Sequence, residues 1–124
     1  MQKLTREWLR KARADLRGAH ELMEARPPVY DLICFHCQQC VEKLLKAMLQ
    51  ELGASVPRTH DLEDLLALIL PHDATLKSIR RGLKFLSAFA VDYRYPGQTA
   101  TGRQAKAALR WAQRLDITVR ERLA

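Results

Sequence analysis

The sequence predicts an all-α, up-and-down bundle of four to five helices, with residues 1–124 forming a single domain. Three observations lead there. Long segments carry apolar residues at intervals of three and four, as in Trp8, Leu9, Ala12, Leu16, Ala19 and Met23, which is the period of one face of an α-helix. Ala, Leu, Arg, Glu and Lys dominate, against only five glycines and five prolines, and each of the dominant types favours helix. No stretch alternates apolar and polar residues as a half-buried strand would. With 48% hydrophobic residues in 124, the chain can bury a core without disulfides or structural metals.

The elements follow in order. A first helix is expected from Thr5 to about Ala25, ended by Arg26-Pro27-Pro28 because a residue before proline is pushed out of the α region. Asp31 suits the N-cap of a second helix running to Leu52, with Gly53 as its stop. After a loop over residues 54–59, Thr59 or Asp61 caps a brief third helix, Leu62 to Leu70, closed by Pro71. Asp73 caps a fourth, from Ala74 to about Val91, with Leu76, Ile79, Leu83, Leu86 and Ala90 inward. An aromatic and basic turn, Asp92-Tyr93-Arg94-Tyr95-Pro96-Gly97, precedes a last helix opened by Thr99 or Thr101, on which Trp111 is expected in the core. Short connections imply antiparallel neighbours.

No apolar run approaches the roughly 18 residues of a membrane span, and no apolar segment follows Met1 to Arg6 as in a secretory signal. Three cysteines clustered on one helix cannot frame a disulfide network, and an odd number suits a reducing compartment. The expectation is a soluble cytoplasmic protein with no membrane role. A net charge of +7 points to an anionic partner: nucleic acid, nucleotide or an acidic protein. The cations are uneven. Lys3, Arg6, Arg10, Arg13 and Arg17 form one stripe of the first helix, and Arg103, Lys106, Arg110, Arg114, Arg120 and Arg122 crowd the last. Such stripes are either solvated faces or anion contacts.

Cys34, Cys37 and Cys40, with His36 among them, invite a metal or redox reading. Residues three apart on a helix fan the three thiols across about 120°, too wide for one ion. The better ligand set is His36, Cys37 and Cys40, with a fourth ligand from His20, His60 or His72. Against it, Ile33, Cys37, Cys40, Val41, Leu44 and Met48 make a continuous apolar stripe in which cysteine acts as a small hydrophobe, with Gln39, Glu42, Lys43 and Lys46 largely opposite. Packing outweighs ligation here, and the sequence assigns no metal and no cofactor.

The stretch from Asp31 to Ala47 (DLICFHCQQCVEKLLKA) closely resembles the second helix of HEPN domains, the higher eukaryotes and prokaryotes nucleotide-binding family. Trp8-Leu9-Arg10-Lys11-Ala12-Arg13-Ala14-Asp15-Leu16 looks like the family's opening helix, and Thr59-His60-Asp61-Leu62 looks like its third-helix entry. Arg94-Tyr95-Pro96 is similar to the turn before its final helix. The four pieces lie in the right order over nearly the whole chain. The resemblance implies a bundle that commonly dimerises and is often encoded beside a minimal nucleotidyltransferase, as toxin and antitoxin or as paired subunits. It also implies a metal-free ribonuclease in members with an Arg and a following His separated by four to six residues: arginine steadies the phosphate, histidine serves as acid or base, and the RNA 2′-OH attacks. In this chain only Arg13 and His20 have that spacing, on the first helix, where the family does not carry its motif. Arg58 and His60 are too close together, and no histidine follows Arg94.

The leading expectation is therefore a HEPN subunit without an evident catalytic motif, homodimeric, paired with a minimal nucleotidyltransferase and binding nucleotide or RNA. Arg94, Tyr93, Tyr95 and His60 are the candidate nucleotide or RNA contacts, since an arginine between two tyrosines can hold a phosphate while the rings stack on a base. In some such pairs a HEPN tyrosine accepts nucleotide transfer, which would fall on Tyr93 or Tyr95. His60 and Asp61 sit at a helix N-terminus, which attracts anions. Gln38 and Gln39 suit a partner or dimer contact, offering hydrogen bonds without desolvated charge. One alternative is a ribonuclease toxin with a divergent site built across a dimer from residues such as Arg58, His60 and Arg94. A second is a metal- or redox-active protein using Cys37, Cys40 and His36.

Overall fold

The helical periods of the sequence become five α-helices in the computed structural model, which describes residues 1–124. They are α1 (Lys3–Glu24), α2 (Tyr30–Glu51), α3 (Leu62–Ile69), α4 (Arg80–Ser87) and α5 (Gly102–Leu123), with 3-10 turns at Ala74–Ile79 and Asp92–Arg94. No helix is long and apolar enough to cross a membrane.

Helix α2 is the hub. Of its 22 residues 13 are buried, ten of them apolar and the others Gln38, Glu42 and Lys46, which only a helix covered on most sides can achieve. Helix α1 packs antiparallel to it, while α5 packs beside it in the parallel sense. The pairing of the two N-terminal ends shows the parallel sense: the Asp31 carboxylate in the first turn of α2 accepts the Ala100 amide just before α5, at 2.6 Å. Asp31 is thus a tertiary latch, not the expected N-cap, a place held by Val29 with no side-chain bond. At the other end, Glu51 accepts the Gln2 amide at 3.0 Å and the Thr5 hydroxyl at 2.8 Å, tying the start of α1 to the end of α2. These two donors hold the Glu51 carboxyl below its ordinary range. Gly53 stops α2 in the left-handed region at φ 72°, which glycine enters at no steric cost.

The remaining caps follow the sequence. Asp61 accepts the Glu63 and Asp64 amides to start α3, Asp73 accepts the Thr75 amide, and Thr101 with Gln104 forms a reciprocal capping box for α5. The expected fourth helix over 74–91 is shorter than its apolar pattern. Leu76 and Ile79, three apart and both buried, suit the three-residue repeat of a 3-10 turn, and the α-helix proper runs only from Arg80 to Ser87. Gly82 explains how α4 meets α5: a Cβ there would overlap carbons of the Trp111 ring. Trp111 is half-buried against that glycine, not deep in the core. Gly82→Ala adds about 1 kcal/mol of helix preference but about 3 kcal/mol of overlap. A net loss near 2 kcal/mol by urea unfolding is expected, and a gain when Trp111 is first replaced by Ala.

Candidate nucleotide or RNA site

All three cysteines are completely buried, and His36 turns away from them, its Nδ1 lying 3.0 Å from Asp15 on α1. Lys43 binds the other oxygen of the same carboxylate. No group of three His, Cys, Asp or Glu side chains converges as a metal ion would require. Burial pushes the Cys34 and Cys40 thiols up to about 12, with Cys37 higher still. The trio His36, Cys37 and Cys40 is therefore divided between the α1 interface and the core, and the metal- or redox-active alternative has no site to work from.

Charge enters the bundle one turn further along α2. Glu42 and Lys46, expected on the outer face, are both buried, at 4% and 6% exposure. The loop after Gly53 folds back over them. Glu42 Oε2 accepts the Lys46 ammonium at 3.1 Å, and the Lys46 Nζ lies 5.7 Å from the Trp8 ring centre. Glu42 Oε1 accepts His60 Nδ1 at 2.8 Å and Gln38 Nε2 at 3.4 Å. Gln38 Nε2 also donates to the His60 carbonyl at 3.1 Å. A buried carboxylate with this many donors is satisfied, and it fixes both the loop and the imidazole.

The consequence for His60 is specific. With Nδ1 spent on a carboxylate, Nε2 is the free nitrogen, and the side chain is 66% exposed. His60 does not act as an anion-attracting group at the α3 N-terminus: Asp61 occupies that cap, and His60 faces a carboxylate. Arg58, two residues earlier, is exposed and makes no ion pair. Gln38 is fully buried, so it cannot be a partner contact as expected, because its amide is committed inside the monomer. Gln39 is half-buried and reaches the surface, donating to Gln38 Oε1 at 2.8 Å.

The aromatic and basic turn lies at the other end of the same ridge. The Arg94 guanidinium sits 4.7 Å from the centre of the Phe35 ring, a cation–π contact, and caps no carbonyls. Tyr93 packs on Phe89 with ring centres 4.6 Å apart. Its hydroxyl accepts Gln104 Nε2 at 3.5 Å, whereas Tyr95 is 61% exposed. Tyr93 and Arg94, with Val29, Asp31 and Leu32, line a shallow cavity of about 340 Å³. Phe35 and Glu42 are seven residues apart, hence on one face of α2 and about 10 Å along its axis. The structure therefore brings Arg94, Gln39 and His60 onto one ridge but does not close Arg58, His60 and Arg94 into a single catalytic pocket within the chain. Arg13 and His20 stand elsewhere: His20 Nε2 meets Gln113 Nε2 at 2.9 Å, and Arg13 lines a cleft against α5. Glu42 escaped the sequence reading because its charge argued for solvent, and its partner His60 lies 18 residues on.

Comparison with known proteins agrees with this architecture. The protein TT1696 of Thermus thermophilus, of solved crystal structure, is 30% identical, with a TM-score of 0.84 over 97% of this chain and 98% of that one. A crystal structure of an archaeal HEPN homologue is 26% identical, with a TM-score of 0.81 over the full length of both chains. No curated protein matches significantly. The family model of the HEPN domain matches residues 5–121: the chain belongs to the HEPN domain family.

Proposed function

We propose that this HEPN protein is a homodimeric subunit that pairs with a minimal nucleotidyltransferase and binds nucleotide or RNA along the α2 ridge. The observation that supports it is the row of polar and basic side chains on that ridge, of which Arg58 and Arg94 are exposed and free of ion pairs. Arg94 rests on Phe35 at one end, Gln39 lies between, and His60 with Arg58 stands at the other. Such a row offers guanidinium donors to phosphates and the exposed Nε2 of His60, and the exposed Tyr95 ring offers a stacking face. Pairing with the nucleotidyltransferase rests on the family resemblance. If a tyrosine receives a nucleotide, Tyr95 is the accessible one, since the Tyr93 hydroxyl is already held by Gln104. Co-expression with a minimal nucleotidyltransferase encoded beside it should give a co-purifying complex, and binding of labelled RNA should weaken by about fivefold when Arg94 is replaced by Ala. A chain that captures neither partner nor RNA would refute this reading.

One observation favours a second reading, a metal-free ribonuclease. A buried carboxylate orienting an imidazole whose other nitrogen is exposed is the arrangement of a general acid–base pair. RNA cleaved by the wild type and spared by His60→Ala would support it. Intact RNA after long incubation, with harmless expression, would argue it down.

A further inference from the structure

We infer that the cleft between α1 and α5 grips the phosphodiester backbone of an RNA strand, at a place distinct from the α2 ridge. This inference rests on the proposal that the chain binds RNA and gives that binding its own electrostatic anchor. The cleft, of about 360 Å³, is lined by Met1, Arg6, Leu9, Arg10, Arg13 and Arg120. Four of these six residues are arginines, and no acidic side chain lines the wall.

The arginines are not equivalent. Arg120 is fixed from both sides, its Nε donating to Asp116 at 2.8 Å and its Nη2 to the Leu9 carbonyl at 3.0 Å, so it pins α5 to α1 and forms the floor. Arg6 donates to the Met1 carbonyl at 2.7 Å. Arg10 and Arg13 are exposed and have neither an ion pair nor a side-chain hydrogen bond. Elsewhere in the chain, Arg17 is spent on Glu21 and Arg122 on Asp73, while Arg94 and Arg114 rest on the Phe35 and Trp111 rings.

Like charges three and four residues apart on a helix repel one another, so the cluster is relieved when an anion enters. The guanidinium fork matches phosphate oxygens two at a time. Arg6, Arg10 and Arg13 advance about 10 Å along the axis. That is a line of donors suited to successive phosphates on a strand. No aromatic ring lines the cleft, so bases are not read there. Contacts fall on the backbone, and binding is independent of sequence and steeply dependent on salt.

The test titrates the full-length protein against fluorescein-labelled oligouridine at several salt concentrations. Arg10→Glu with Arg13→Glu should weaken binding by about tenfold or more and reduce the salt slope by roughly 1.4, the share of two single-strand phosphate contacts. Lys77→Glu with Arg81→Glu, the same change of net charge, should do far less. Should the charge reversal disturb folding, Arg10→Gln with Arg13→Gln carries the same test. Equal loss in the Lys77 and Arg81 variant would reduce the effect to net charge and overturn the inference. Unchanged affinity in the cleft variants, with binding lost in Arg94→Ala, would overturn it while leaving the ridge proposal intact. Cleft variants that keep RNA but lose the co-purified nucleotidyltransferase would make the cleft an acidic-protein contact instead. A wild type that binds no oligouridine overturns the cleft and the RNA half of the proposed function together, and co-purification then reads the partner half separately.

Discussion

Replacing Glu42 with Ala is expected to cost about 3–5 kcal/mol of folding stability, the penalty for leaving a buried charge without its partner. Lys46 is 8% exposed at its side chain and rests between Glu42 and the Trp8 ring. Without the carboxylate its ammonium has no anion within reach, and Gln38 and His60 lose a shared acceptor. Set against a typical total stability of about 5–15 kcal/mol, this is a large fraction. Lys46→Met should cost less, because Glu42 keeps His60, Gln38 and Gln39 as donors. Removing both charges, as Glu42→Leu with Lys46→Met, should recover at least half of the single-variant loss, since apolar replacement of a buried pair is often near neutral. Urea unfolding of the three variants measures the pattern. A Glu42→Ala loss below about 1 kcal/mol would mean that water reaches Lys46 and that the network is not sealed. Glu42→Gln separates the fold from the chemistry. It keeps an acceptor for His60 and removes the negative charge, so any ribonuclease activity should fall further than stability does.

How much of this was written in the sequence differs by element. The apolar period of α2 gave its buried stripe, and the capping residues Asp61, Asp73 and Thr101 marked their helices, because both signals are local. Asp31 misled for the same reason: it has the chemistry of a cap, but its hydrogen-bond partner is Ala100, 69 residues away. Glu42 and Lys46 read as solvent-facing because charged residues are almost never fully buried unless paired. Their pairing, four residues apart on α2, is local, but their burial depends on tertiary contacts that local pattern could not place. The site residues show the same divide. Arg94, Tyr95 and His60 lie on the surface as expected, while Gln38 was drawn inward by the carbonyl of His60. The orienting carboxylate carried no signal at all, since a Glu four residues before a Lys on a helix usually reads as an exposed ion pair.

The cysteines leave a signature in alkali. In the unfolded chain their thiols titrate near the ordinary value of about 8.5. In the folded protein burial holds Cys34 and Cys40 neutral up to about 12 and Cys37 beyond that. Between those limits the unfolded state loses protons that the folded state keeps. Stability is therefore fully present below about pH 8 and falls as pH rises, at up to about 1.4 kcal/mol per pH unit for each thiol. With three thiols on one helix, the loss over two pH units is of the same order as a typical total stability of about 5–15 kcal/mol, so cooperative unfolding is expected by about pH 11. Urea midpoints taken across the alkaline range should decline steeply, and Cys37→Ala should make the decline shallower by about a third. Alkylation by iodoacetamide should mark none of the thiols in the native protein at neutral pH and all three after denaturation. A midpoint that stays flat to about pH 10, or rapid native labelling of Cys37, would show that water reaches the seam of α2 and would reopen the redox chemistry that burial now closes.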